Sequence, residues 1–128
     1  MSGFRTPLAR ARGLGSAKHG VGHWISERVG AVALVPLVIW GAYSVIRLAQ
    51  LDYYGAAAWI ASPVNATLMI LTIAIGFTHM QAGLRVVIED YIHKTLTKAA
   101  LLVLNVFVAG LAGALAIMSI LKVALGGA

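Results

Sequence analysis

Three long apolar tracts, separated by short polar segments, dominate this chain of 128 residues. They run from about residue 29 to 48, 64 to 90 and 99 to 121. Each reaches the roughly 20 residues that an α-helix needs to cross a bilayer. Charged residues gather mainly before the first tract and around the end of the second. The pattern predicts an all-α membrane protein with three transmembrane helices.

The composition supports this class and excludes others. Hydrophobic residues make up 60% of the chain and charged residues 11%, which is unlike a soluble domain. There is no cysteine, so this chain alone cannot build disulfides, thiolate metal sites or Fe–S clusters. The net charge of +6 comes from basic residues beside the spans, where they meet anionic lipid headgroups. We therefore expect a lipid membrane as partner and no nucleic acid.

Charge also divides the chain and orients it. Residues 1–28 form a basic N-terminal segment, of which 1–22 are expected to be irregular or partly ordered, and residues 29–128 form the three-helix anchor. Residues 49–63 are expected to be a loop whose aromatic side chains lie at the membrane interface. The basic N-terminal segment and the loop at 91–98 belong on the cytoplasmic side by the positive-inside rule. An acid-free, arginine-rich start is also typical of mitochondrial transit peptides.

The second tract contains a histidine, His79, well inside its apolar run. Ionisable groups within a membrane span are costly, so they indicate a functional partner. Gly76 and Gly83 lie on the same helical face, and small residues let a bulky neighbour approach closely. Asp90 follows His79 by eleven residues, which turns it only ~20° and advances it ~16 Å along one helix.

Two interpretations of His79 remain open from the residues alone. A neutral imidazole is a good axial ligand for haem iron. Alternatively, it could hydrogen-bond a neighbouring helix, for example through Thr72 or Asn105. No second histidine lies in mid-membrane, so a second haem ligand would come from another chain.

Two further groups have both a structural and a functional interpretation. Arg28, at the start of the first span, could reach to the headgroups or pair with a carboxylate. Asp90 and Tyr91 could bind a small polar head such as a quinone, or could simply end a helix at the interface.

The third tract predicts helix packing. Residues 109–114 place small side chains at i and i+4, and Asn105 is expected to make an interhelical hydrogen bond.

Taken together, His79-x10-Asp90-Tyr91, in the stretch HMQAGLRVVIEDY, resembles the hydrophobic membrane-anchor subunits of succinate dehydrogenase, respiratory complex II. The N-terminal TPLARARGLGSAKHGVGHW followed by Arg28 is similar to the D-type anchors of alphaproteobacteria and mitochondria. The resemblance covers the whole chain.

The resemblance implies a cofactor and a substrate. His79 would be an axial ligand of one haem b, held between this chain and a second three-span cytochrome b anchor subunit. Arg28 and His23 would lie near the haem propionates. Tyr91 would hydrogen-bond ubiquinone, with Asp90 beside it.

The resemblance also implies a set of partner subunits and a cellular location. The two anchor subunits would dock the Fe–S subunit and, through it, the flavoprotein subunit. Electrons from succinate, a substrate of the tricarboxylic acid cycle, would pass to ubiquinone in respiratory electron transport. The chain would lie in the bacterial inner membrane rather than the mitochondrial one, and would hold no catalytic residue by itself.

Two alternatives compete with this interpretation. One is a haem-free structural anchor or assembly subunit, in which His79 only packs. The other is a cytochrome b subunit of a different respiratory complex, which is disfavoured because such a chain usually supplies more than one mid-membrane histidine.

Overall fold

The computed structural model describes residues 6–13 and 20–126, and within those ranges every regular element is an α-helix. Their order is α1 (Pro7–Arg12), α2 (Gly20–Leu48), α3 (Tyr53–Ala61), α4 (Pro63–Tyr91) and α5 (Thr95–Ala124). The expected all-α class is confirmed.

Three of these helices are long and apolar enough to cross a membrane. Helices α2, α4 and α5 contain 29, 29 and 30 residues, and their mean hydropathies are 2.1, 1.4 and 2.4. At 1.5 Å per residue each extends ~44 Å, beyond the ~30 Å hydrocarbon core of a bilayer. Each contains one of the three predicted tracts, so the prediction of three spans is confirmed.

The N-terminal segment is more regular than expected. The short helix α1 is an ordered part of the segment that was expected to be irregular or partly ordered, and α2 starts at Gly20, before the expected end of that segment. Thr6 caps α1 by accepting a hydrogen bond from the backbone N–H of Ala9 over 3.1 Å, and Pro7 occupies the first turn. A capping threonine followed by proline is a local helix-start signal. Residues 1–5 and 14–19 lie outside the described residues.

The first connection, residues 49–63, also differs from the expected loop, because it contains α3. Asp52 caps this helix, its carboxylate accepting a backbone hydrogen bond over 2.9 Å. Trp59 stacks on Trp40 of α2 with 6.0 Å between ring centroids. Asn65 of α4 donates a side-chain hydrogen bond to the Trp59 carbonyl over 2.9 Å. The tryptophan stack therefore joins α3 to α2, and the Asn65 hydrogen bond joins it to α4.

Small residues and one amide join α4 to α5, as predicted. Ala109 and Gly113 are buried, and a β-carbon on Gly113 would lie 3.4 Å from the Phe77 ring. The Asn105 side chain donates a hydrogen bond to the Gln81 carbonyl over 2.9 Å. Both the packing surface and the interhelical hydrogen bond are confirmed.

Helix α4 is the central element. It packs against α2 on one side and α5 on the other, while α3 contacts both α4 and α5. Within the described ranges the buried apolar residues are few: Leu37, Ala66, Ala109 and Ile120. Most apolar surface is therefore left for lipid or for other subunits.

Candidate functional site

A single uninterrupted helix carries His79, Asp90 and Tyr91. Because α4 runs without a break from Pro63 to Tyr91, the predicted relation between His79 and Asp90 holds: one face, about three turns apart. Asp90 and Tyr91 are the last two residues of α4, and Tyr91 is 76% exposed.

The His79 imidazole is exposed and makes no hydrogen bond to any residue that the structure describes. The two partners considered from the sequence bond elsewhere. Thr72 donates to the Leu68 carbonyl of its own helix over 2.7 Å, and Asn105 donates to Gln81. Both imidazole nitrogens are therefore free to bind a group from outside this chain.

Glycines leave space around His79. A β-carbon on Gly30 of α2 would lie 4.0 Å from His79 Nδ1, so the two helices approach closely here. A β-carbon added at Gly76 or Gly83, on the His79 face of α4, would meet nothing within 4 Å. The exposed face around the imidazole can thus accept a flat or bulky group from outside.

A cavity of about 210 Å³ lies between the N-terminal half of α2 and α4. Its lining combines ionisable, polar and small side chains, which is unusual between two membrane helices. They are His23, Ser26, Glu27 and Gly30 of α2, and Ile75, Thr78, His79, Gln81 and Ala82 of α4.

The structure brings His23 to this cavity but not Arg28. His23 Nδ1 lies 3.6 Å from Oε1 of Glu27, one turn further along α2. The Arg28 guanidinium lies over the Trp24 ring, 5.4 Å from its centroid, in a cation–π contact. His23 and Arg28 are five residues apart, so they point about 140° from each other around the helix axis.

The sequence interpretation named only His23 and His79 as site residues among the nine lining residues, and three of those it missed are important here: Glu27, Gly30 and Gln81. Glu27 is one of only four acidic residues in the chain, and its i+4 spacing from His23 was the available signal. Gly30 and Gln81 gave no such signal, because their importance depends on how α2 and α5 pack on α4. Gln81 also lines two neighbouring cavities, of about 460 and 340 Å³.

Charged contacts hold the end of α4 in place. Arg85 Nε donates to Glu89 Oε1 over 2.8 Å, and Lys98 Nζ of α5 donates to the Glu89 backbone carbonyl over 2.8 Å. A cation at this position complements the negative end of the helix dipole. Asp90, in contrast, makes no ion pair or hydrogen bond with any other described residue, which leaves its carboxylate available.

No cluster of three or more histidine, cysteine or acidic side chains suited to a metal ion occurs in residues 6–13 and 20–126. His79 is thus a single donor. Any metal bound to it requires a second ligand from a cofactor or another chain.

Comparison with known proteins points to one family. The model of the succinate dehydrogenase/fumarate reductase transmembrane subunit matches residues 2–115. The succinate dehydrogenase hydrophobic membrane anchor subunit of Rickettsia conorii is 33% identical over 90 residues, 70% of this chain and 71% of that protein. The same subunit of Paracoccus denitrificans is 33% identical over 104 residues, 81% of each chain. No solved structure matches.

Proposed function

This chain belongs to the succinate dehydrogenase/fumarate reductase transmembrane subunits, as a multi-pass membrane anchor, and we propose that it binds haem b and ubiquinone. As an anchor subunit of succinate dehydrogenase it associates with the catalytic subunits of an oxidoreductase complex and with the membrane. The proposal concerns what the side chains of this chain contribute to that complex.

The unpaired His79 imidazole is the observation that carries the haem proposal. It lies on an exposed face of α4, with open space at Gly76 and Gly83 and with Gly30 in place of a larger side chain. These features suit one axial ligand of a haem, with the second ligand from a partner subunit. A bound haem b would supply a one-electron carrier within the membrane.

The haem propionates have two candidate neighbours on α2. His23 lines the cavity beside His79 and is able to donate a hydrogen bond there. Arg28 stacks on Trp24 and would have to leave that ring to reach a propionate. We therefore assign His23 the closer role and Arg28 the more peripheral one.

Tyr91 and Asp90 are proposed to bind ubiquinone at the end of α4. The Tyr91 phenol, exposed at the last helical residue, can donate a hydrogen bond to a quinone carbonyl. The free Asp90 carboxylate beside it can accept or pass a proton. The Arg85, Glu89 and Lys98 contacts keep this helix end ordered.

The orientation and partners follow from charge and exposed surface. We place the N-terminus and the residue 92–94 connection on the cytoplasmic side of the bacterial inner membrane, because basic residues gather there. A second three-span cytochrome b subunit would cover the His79 face of α4. The Fe–S subunit would dock on the cytoplasmic side beside Tyr91, with the flavoprotein bound to it.

The test is a reduced-minus-oxidised visible spectrum of the membrane complex, purified through a tag on this chain. We expect a b-type haem band in the wild type, its loss in His79→Ala, and its retention in His93→Ala. His93 is the matched control because it lies beyond the end of α4. An unchanged band in His79→Ala would refute the ligand assignment. An intact wild-type complex without a b-type band would favour the haem-free structural anchor.

A further inference from the structure

Glu27 lies one helical turn before Gly30 on the same face of α2. Three residues correspond to ~4.5 Å along the helix axis. Since a β-carbon on Gly30 would lie 4.0 Å from His79 Nδ1, Glu27 lies about one turn from that imidazole, toward the start of α2. Both Glu27 and His79 line the 210 Å³ cavity, and the Glu27 side chain is only 32% exposed.

The Glu27 carboxylate is not neutralised by a guanidinium. Its only ion pair in the described part of the chain is with His23, at 3.6 Å. The Arg85 side chain of α4 is hydrogen-bonded to Glu89 and not to Glu27. Lys98 contacts the Glu89 carbonyl rather than Glu27. A carboxylate with a single histidine partner therefore faces the cavity.

We propose that the Glu27 carboxylate sets the midpoint potential of the haem whose iron His79 binds. This inference rests on the proposed haem ligation. When ferric haem takes up one electron, the site loses one positive charge. A nearby carboxylate stabilises the ferric state more than the ferrous state, and this preference is strong where the surroundings are poorly polarisable. Glu27 thus lowers the potential, and His23 holds the carboxylate in place by its i,i+4 contact.

The experiment is a mediated redox titration of the haem band in the purified membrane complex at constant pH. Glu27→Gln removes the charge and keeps the shape, so the midpoint potential should shift upward. Asp52→Asn is the matched control, since it removes one carboxylate at the start of α3 while asparagine can still cap that helix. Its potential should equal that of the wild type.

Ser26→Asp adds a carboxylate to the same cavity and should shift the potential downward. If Glu27→Gln does not assemble, Ser26→Asp still tests whether a carboxylate in this cavity lowers the midpoint potential of the haem. A Glu27→Gln complex with haem at the wild-type potential would overturn the inference and leave the haem assignment intact. So would an unshifted Ser26→Asp complex. A wild-type complex without haem would instead overturn the haem proposal, and this inference with it.

Discussion

Gly30 of α2 lies against the imidazole of His79 in α4, where a β-carbon on the glycine would be 4.0 Å from Nδ1. The contact is ordinary in distance, yet it decides what the histidine can do. Because glycine presents no side chain, the imidazole is not pressed into a helix interface and keeps its exposed orientation. Gly30 therefore belongs to the candidate haem site although it has no side chain that could bind a ligand.

Larger side chains at Gly30 should displace His79. Gly30→Ala fits, because its added carbon is at van der Waals distance, whereas Gly30→Leu overpacks the interface at a cost of roughly 1–3 kcal/mol. We expect normal haem content in the alanine variant and reduced content in the leucine variant, measured as haem per purified complex. Gly41→Leu, in the same helix but with nothing within 4 Å, is the control. Equal haem loss in both leucine variants would contradict a specific role for Gly30.

Removing the Tyr91 hydroxyl should slow quinone reduction and spare succinate oxidation. Tyr91→Phe deletes one hydrogen bond, worth about 1 kcal/mol, so we expect roughly a fivefold lower rate of succinate-dependent ubiquinone reduction. Succinate oxidation with a soluble dye should stay near the wild-type rate. Tyr54→Phe, an exposed tyrosine in α3, is the control. A parallel fall in both activities would indicate faulty assembly instead.

Asn105 should stabilise the packing of α4 on α5. Asn105→Leu removes the hydrogen bond to the Gln81 carbonyl, and interhelical hydrogen bonds in membranes contribute about 0.6 kcal/mol on average. We expect a decrease of that order in the free energy of unfolding, measured by denaturant titration in detergent micelles. Ser119→Ala is the control, because the Ser119 hydroxyl bonds only to its own helix. Equal stability of Asn105→Leu and the wild type would show that the bond contributes nothing measurable.

The stacked tryptophans should give a shared spectroscopic signal. Trp40 and Trp59 are nearly parallel, with an interplanar angle of 18°. Trp40→Phe and Trp59→Phe should each abolish the same feature of the near-ultraviolet circular dichroism spectrum, while Trp24→Phe should preserve it. Independent, additive losses from all three variants would mean that the ring pair does not form in the membrane.

Much of the fold can be predicted from the sequence because the insertion of a helix into a membrane depends mainly on the residues of that helix. Twenty apolar residues suffice to cross a bilayer whatever their neighbours are, so the three spans follow from the tracts alone. The Asn105 bond could be predicted as well, since a polar amide in an apolar helix needs a partner. The helix α3 was missed although the Asp52 cap is a local helix-start signal, because its nine residues are too few to span a membrane and the Trp40–Trp59 stack that positions it is a tertiary contact.

By itself the sequence determined the three helices, their apolar character, and the alignment of His79 with Asp90 along α4. These features depend on helical periodicity and on the transfer of apolar side chains from water into the bilayer, and both act within one segment. Only the tertiary structure decided that Gly30, Glu27 and His23 meet His79 at one cavity. The reason is that the rotation of α2 against α4 is set by side-chain packing between the two helices, which neither helix encodes alone.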